Sequence, residues 1–223
     1  MNCVESFLQI RKEIPSNVKI VAVSKNKPFS TIEELYLKTG HVLFGENKAQ
    51  ELLSKVKELP PEIEWHFIGH LQTNKVKMIA PFVCLIQSVD SFDLLKEINK
   101  EALKCNRVIP VLIQFYISSD ENKFGFSMGE AVQMFNDEDF YKLKNIIVKG
   151  VMGIATFTSD TNLIRNEFKK LNQYFTELKN RFFSRQEEFC EISMGMTNDY
   201  QIAIAEGSTM VRIGSGIFGK TEW

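Results

Sequence analysis

Short apolar runs recur along the chain, separated by longer stretches whose apolar residues return every three or four positions. The runs are residues 19–24 (KIVAVS), 41–45 (HVLFG), 65–69 (WHFIG), 83–88 (VCLIQS), 108–115 (VIPVLIQF), 146–154 (IIVKGVMGI), 189–194 (FCEISM) and 209–213 (TMVRI). Each is mostly continuous rather than alternating, as in parallel strands covered on both faces. Between them, residues 162–183 carry Leu163, Ile164, Phe168, Leu171, Phe175 and Leu178 at helical spacing. Residues 91–103 open on Ser91 and Asp93, a capped start, and continue with Leu94, Leu95, Ile98 and Leu103. Residues 31–38 and 46–59 read as helices stopped by Gly40 and by Pro60–Pro61, and 198–205 bridges the last two strands. Residues 1–14 add an N-terminal helix.

Eight strand–helix alternations predict an α/β fold, a (β/α)8 TIM-type barrel, in preference to an open doubly wound sheet. No Pro/Gly/Ser linker or low-complexity segment interrupts the 223 residues, so one domain over 1–223 is expected. Apolar residues at 44% and charged residues at 25% suffice for a sizeable core and exclude a disordered or fibrous chain.

Net charge is −1, and basic residues are scattered among acids. That argues against a nucleic-acid partner. The first residues, MNCVESFLQIRKEI, lack a signal peptide's apolar core, and no apolar run approaches the about 18 residues of a membrane span. A cytoplasmic protein without a membrane partner, and a monomer, is expected. Cys3, Cys84, Cys105 and Cys190 lie far apart, without CxxC spacing, and read as free buried thiols. His66 and His70 are four apart, but their context, EWHFIGH, reads as a strand, and no third metal ligand is evident.

In such a barrel the chemistry lies at the C-terminal strand ends. The first strand leads into Lys25-Asn26-Lys27-Pro28, the second into Glu46-Asn47, the third into Gly69-His70 and the sixth into Met152-Gly153. The seventh runs through Ser193-Met194-Gly195 and the eighth through Arg212 into Gly214-Ser215-Gly216. Lys25 is either a solvated loop lysine or an amine poised to form a Schiff base, with Lys27 on the same side. The string Gly214-Ser215-Gly216-Ile217-Phe218-Gly219 matches GxGxxG, yet no further strand follows it before Trp223, so a dinucleotide fold is not expected. It is either a tight turn or a phosphate cradle working with the preceding Ser193–Gly195 loop. Asp90 and Glu46 are candidates for a carboxylate pair across the mouth, and Phe124-Gly125-Phe126 reads as packing. A lysine on one side and a phosphate cradle on the other suit pyridoxal phosphate, which needs both.

The strings VAVSKNKP, FGENKAQEL, WHFIGHLQTNK, NKFGF and ISMGMTNDYQIAIAEGSTMVRIGSGIFG, in this order from about Ile20 to Gly219, resemble the pyridoxal phosphate homeostasis protein family, the YggS/PROSC group. The resemblance implies a barrel similar to the N-terminal domain of alanine racemase, binding pyridoxal 5′-phosphate and acting in vitamin B6 and amino-acid homeostasis. It implies Lys25 as the Schiff-base residue, Arg212 against the pyridine nitrogen and Asn47 near the ring. Ser193, Gly195, Gly214 and Ser215 would hold the phosphate. A permanently charged arginine at the ring nitrogen keeps that nitrogen unprotonated and the ring a weak electron sink. A racemase of this fold also draws a second acid/base residue from an added β-domain, which a chain ending at Trp223 would lack. Expected is a carrier that delivers the cofactor to apo-enzymes with little or no turnover; a pyridoxal-phosphate-dependent amino-acid racemase is the alternative. Two departures from the family stand out: Ser215 replaces a common threonine, and MGIATF lacks a proline that relatives carry near Thr156.

Overall fold

A computed structural model describes residues 2–118 and 124–219. Asn122 and Lys123 of the NKFGF string lie outside the described residues. The element order is α1 (Cys3–Glu13), β1 (Lys19–Val23), α2 (Phe29–Thr39), β2 (Leu43–Glu46), α3 (Ala49–Glu58), β3 (Glu64–Phe67), α4 (Val76–Ile79), β4 (Leu85–Val89) and α5 (Phe92–Lys104). It continues with β5 (Ile109–Phe115), α6 (Met128–Asn136), β6 (Ile146–Gly153), α7 (Thr161–Phe182), β7 (Glu191–Met196), α8 (Tyr200–Ala205), β8 (Met210–Ile213) and α9 (Ser215–Phe218). All neighbouring strands pair in parallel, and β8 returns to β1, closing the barrel. This is the (β/α)8 architecture that the apolar runs predict.

Boundaries follow local chemistry. Ser91 caps α5 by accepting from the Leu94 amide, and Gly40 ends α2 in the left-handed region at φ 68°. Glu46 completes β2 rather than opening a helix, and α3 starts at Ala49. Helix α6 was not among the expected elements, although Ser127 and Glu130 form a capping box at its start. The cysteines are free, as read, but none is fully buried and Cys190 is exposed. Each thiol stands at or beside a strand or helix end, where the chain reaches the surface.

The core has two parts. The larger lies between sheet and helices, with Phe44, Phe67, Phe135, Phe168 and Phe189 fully enclosed. The smaller, Val21, Leu85, Leu112, Met152 and Met210, plugs the barrel interior. Lys19 and Glu191 pair at the N-terminal end of that interior. Two residues beyond Leu85 and Met210 on the same strands stand Gln87 and Arg212, both buried. The interior is thus apolar below and polar toward the C-terminal mouth.

Strands β5 and β6 shift register between Val111 and Leu112, and Gly150 on β6 takes φ +152° there. A Cβ at Gly150 would lie 1.8 Å from the Glu191 carbonyl oxygen of β7. Backbone cannot yield as a flexible side chain does. Gly150→Ala is therefore expected to destabilise the fold by about 3 kcal/mol, lowering Tm by roughly 6–12 °C in a thermal melt.

Candidate functional site at the barrel mouth

Strand order sets the neighbours of Lys25. Strand β1 lies between β8 and β2, with Val21 opposite Arg212 and Val23 opposite Gly45. Val21 faces the interior, and Lys25 stands two residues beyond the end of β1, in the turn that leaves the strand. Lys25 is exposed and makes no hydrogen bond or ion pair among the described residues. Lys27 is committed elsewhere: its ammonium donates to the Phe218 and Gly219 carbonyls at 3.0 and 3.3 Å. The two lysines thus do not share a role at the mouth.

The turn carrying Lys25 is held from below. Asn26 adopts φ 58°, and the Lys27 amide closes the turn on the Ser24 carbonyl at 3.0 Å. Lys55, on the buried face of α3 and 1% exposed, donates to the Ser24 carbonyl (2.8 Å), Glu46 Oε1 (2.7 Å) and Glu51 Oε1 (2.7 Å). The same Glu51 oxygen accepts from the Asn26 amide at 2.6 Å, and Ser24 Oγ donates to Glu46 Oε1 at 2.5 Å. Backbone on both sides of Lys25 is therefore tied to one buried ammonium and its carboxylates. Burial pushes the Glu46 carboxyl above its ordinary range, opposed by the charge and hydrogen bond of Lys55. Glu46 is thus bound to Lys55 and Ser24, while Asp90 pairs with His70 Nδ1 at 2.8 Å, so the two acids do not form a pair across the mouth.

Asn47 follows β2 beside this turn. Its Oδ1 is buried and has no hydrogen-bond partner among the described residues. Gly69 permits this crowding, because a Cβ there would stand 2.4 Å from the Asn47 carbonyl oxygen. On the other side of β1, the Gly214 and Ser215 amides have no partner among the described residues, and the Gly216 amide donates to Thr197 Oγ1 at 3.2 Å. The turn read as a phosphate cradle thus presents unclaimed N–H groups, and Thr197, which the sequence reading passed over, lies against it. Gly195 sits at a β7 bulge at φ +93°, and a Cβ there would be 2.5 Å from Ala203 Cβ. Its lack of a side chain lets α8 pack closely.

Arg212 is 3% exposed, and among the described residues it forms no salt bridge. It donates to Ser193 Oγ at 2.7 Å and to the Gly153 carbonyl at 2.9 Å. Burial lowers its pKa to about 10, which still leaves it charged near neutrality, with Asp199 partly offsetting the desolvation. Ser193 donates in turn to Gln87 Oε1 at 2.6 Å, inside the barrel rather than in an exit loop. The Ser193 hydroxyl, read from the sequence as a phosphate contact, here serves Arg212 and Gln87. Gln87 was not singled out, although a lone amide in the run VCLIQS was a legible signal.

Across the mouth, the His70 ring packs on Phe124 with centroids 4.4 Å apart, so Phe124 packs without being buried. His66 points inward to Gln87 instead, and among the described residues no three metal-ligating side chains come together.

A lysine without a partner among the described residues, a buried arginine without an ion pair there and a glycine turn meet at neighbouring strand exits of a closed parallel barrel. The family described as "Alanine racemase, N-terminal domain" matches residues 5–222. The pyridoxal phosphate homeostasis protein of Aquifex aeolicus is 38% identical over 206 residues, spanning 92% of this chain and 88% of that protein. That of Homo sapiens is 36% identical over 215 residues, spanning 92% and 77%. Among solved structures, PipY of Synechococcus elongatus, determined with PLP bound, superposes with a TM-score of 0.87 at 29% identity, over 98% of this chain and all of that one. Alanine racemase of Clostridium difficile shares the fold at TM-score 0.76 and 14% identity, over all of this chain and 56% of that one. The chain belongs to the pyridoxal phosphate homeostasis protein family.

The buried pair beneath the Lys25 turn makes a pH-dependent prediction. Lys55→Met leaves Glu46 buried without its cation, a loss of about 3–5 kcal/mol. With its folded pKa raised further, Glu46 binds more protons folded than unfolded, so stability falls as pH rises through the carboxylate range. The deficit of Lys55→Met against the parent in denaturant melts should therefore be smaller near pH 5 than at pH 8.

Proposed function

We propose that this chain binds pyridoxal 5′-phosphate at the barrel mouth and holds it for vitamin B6 and amino-acid homeostasis. The observation that carries this reading is the set of unclaimed groups on β8, β1 and β2: the Gly214 and Ser215 amides, the Lys25 amine and the orphaned Asn47 Oδ1. The names of the relatives and the PLP-bound PipY structure support it. When bound, the cofactor supplies an aldehyde that condenses with an amine and a ring that withdraws electrons. Lys25 is the amine, and Lys27 is held away by the α9 carbonyls. Gly214, Ser215 and the nearby Gly195 and Thr197 backbone hold the phosphate, while Asn47 lies against the ring.

Arg212 faces the pyridine nitrogen. A guanidinium has only donors, so it keeps that nitrogen unprotonated and limits electron withdrawal by the ring. Proton removal from a bound amino acid is then weakly supported, which favours holding and delivery over turnover. Apo-enzymes that need the cofactor are the recipients, and four free thiols suit the reducing cytoplasm.

Two measurements test this. Protein mixed with PLP should turn yellow, and borohydride reduction followed by peptide mapping should place the pyridoxyl label on Lys25; a colourless mixture, or a label on Lys27 alone, would refute the assignment. Incubated with L-alanine in D2O, the loaded protein should leave chirality and the α-proton signal essentially unchanged over hours. Rapid racemisation abolished by Lys25→Ala would instead establish the racemase reading.

A further inference from the structure

The polar layer in the barrel interior is a hydrogen-bond chain with one direction. Arg212 Nη1 donates to Ser193 Oγ (2.7 Å), Ser193 donates to Gln87 Oε1 (2.6 Å), and Gln87 Nε2 donates to His66 Nδ1 (3.0 Å). Each link constrains the next. Arginine cannot accept, so Ser193 must turn a lone pair toward it, and its single proton then goes to the Gln87 carbonyl oxygen. The Gln87 amide nitrogen is left facing His66, whose Nδ1 must be bare. Burial pushes the His66 pKa down to about 3 and keeps the ring neutral, so its one proton can sit on Nε2 and leave Nδ1 to accept from the amide. Gln87 Nε2 also lies 3.1 Å from Met210 Sδ of the apolar plug, which further anchors the amide.

The arrangement matters because Arg212 has no carboxylate to orient it among the described residues; Asp199 acts on it only through its field. Two neutral oxygens, Ser193 Oγ and the Gly153 carbonyl, set the plane of the guanidinium. One is fixed backbone. The other is a hydroxyl whose lone pairs point correctly only while Gln87 takes its proton.

We propose that Gln87 is a positioning residue which, through Ser193, holds the Arg212 guanidinium toward the pyridine nitrogen of bound pyridoxal phosphate. The inference rests on the proposed cofactor site and deepens it: Ser193 belongs to the ring side, not the phosphate side. Pyridoxal and pyridoxal phosphate share the ring and differ in the phosphate, so the two ligands separate the roles.

The experiment titrates both ligands by absorption into the parent, Gln87→Met, Ser193→Ala, Gln87→Glu and Ser215→Ala, with circular dichroism as the check of fold. Gln87→Met and Ser193→Ala should each lose about tenfold in affinity for both ligands alike and shift the absorption maximum of the bound cofactor. Gln87→Glu keeps an acceptor for the Ser193 proton but offers His66 Nδ1 a donor only when its carboxyl is protonated. The parental spectrum should therefore return as pH falls, which a merely structural role would not produce. Ser215→Ala keeps the amide but removes the hydroxyl, so through one lost hydrogen bond to a charged phosphate it should weaken pyridoxal phosphate roughly 10- to 150-fold and leave pyridoxal unchanged. If Gln87→Met does not fold, the pH profile of Gln87→Glu decides, with Ser193→Ala showing what loss of the Arg212 contact itself costs. Parental spectra and affinities in both variants, or loss for pyridoxal phosphate only, would overturn the inference. A parent that binds neither ligand would instead overturn the cofactor site itself.

Discussion

Closing eight parallel strands into a barrel leaves an interior only wide enough for side chains, and every other feature of this protein adjusts to that limit. Val21, Leu85, Leu112, Met152 and Met210 fill the lower part with apolar atoms. Gln87, Ser193 and Arg212 then occupy the level below the mouth and must satisfy one another, because little water can reach them. A cation at this level is costly unless its donors find acceptors. Neutral oxygens from β6 and β7 meet that need and leave Arg212 without an ion-pair partner among the described residues, its charge offset only through the field of Asp199.

The same constraint operates outside the sheet. Lys55 is buried against β1 and β2, where three oxygens receive its three protons: the Ser24 carbonyl, Glu46 and Glu51. Such a cluster adds little net stability compared with apolar packing, but removing one member is expensive. Its value lies in geometry. It ties Ser24 and Asn26 on either side of Lys25, so that the Lys25 amine extends from a braced turn rather than a loose loop.

The mouth divides its work by strand. The exits of β8, β1 and β2 offer unclaimed amides, an amine and an orphaned amide oxygen, while β3 and β4 carry the His70–Asp90 pair packed on Phe124. Glycines set the close approaches: Gly69 against Asn47 and Gly195 against α8. Each lets one backbone pass where a side chain would have pushed the exits apart.

The eight strands and the capped helix after Ser91 were legible in the sequence, because continuous apolar runs and three-to-four spacing report local burial directly. Lys25, Arg212 and the Gly214–Ser215 turn were also legible as candidates, since barrel strands place their exits predictably. Gln87 in an apolar run and Lys55 on an apolar helix face were visible as anomalies, but a lone polar residue names no partner. Which groups meet was decided by closure: Ser193 and Gln87 are 106 positions apart, and only the barrel brings their side chains to 2.6 Å. Likewise, Lys25 and Lys27 differ by two residues in sequence. Only α9, folding back from beyond β8, engages one and leaves the other open. Hydrophobic period is written into neighbouring residues, whereas hydrogen-bond partners depend on how distant strands come to lie side by side.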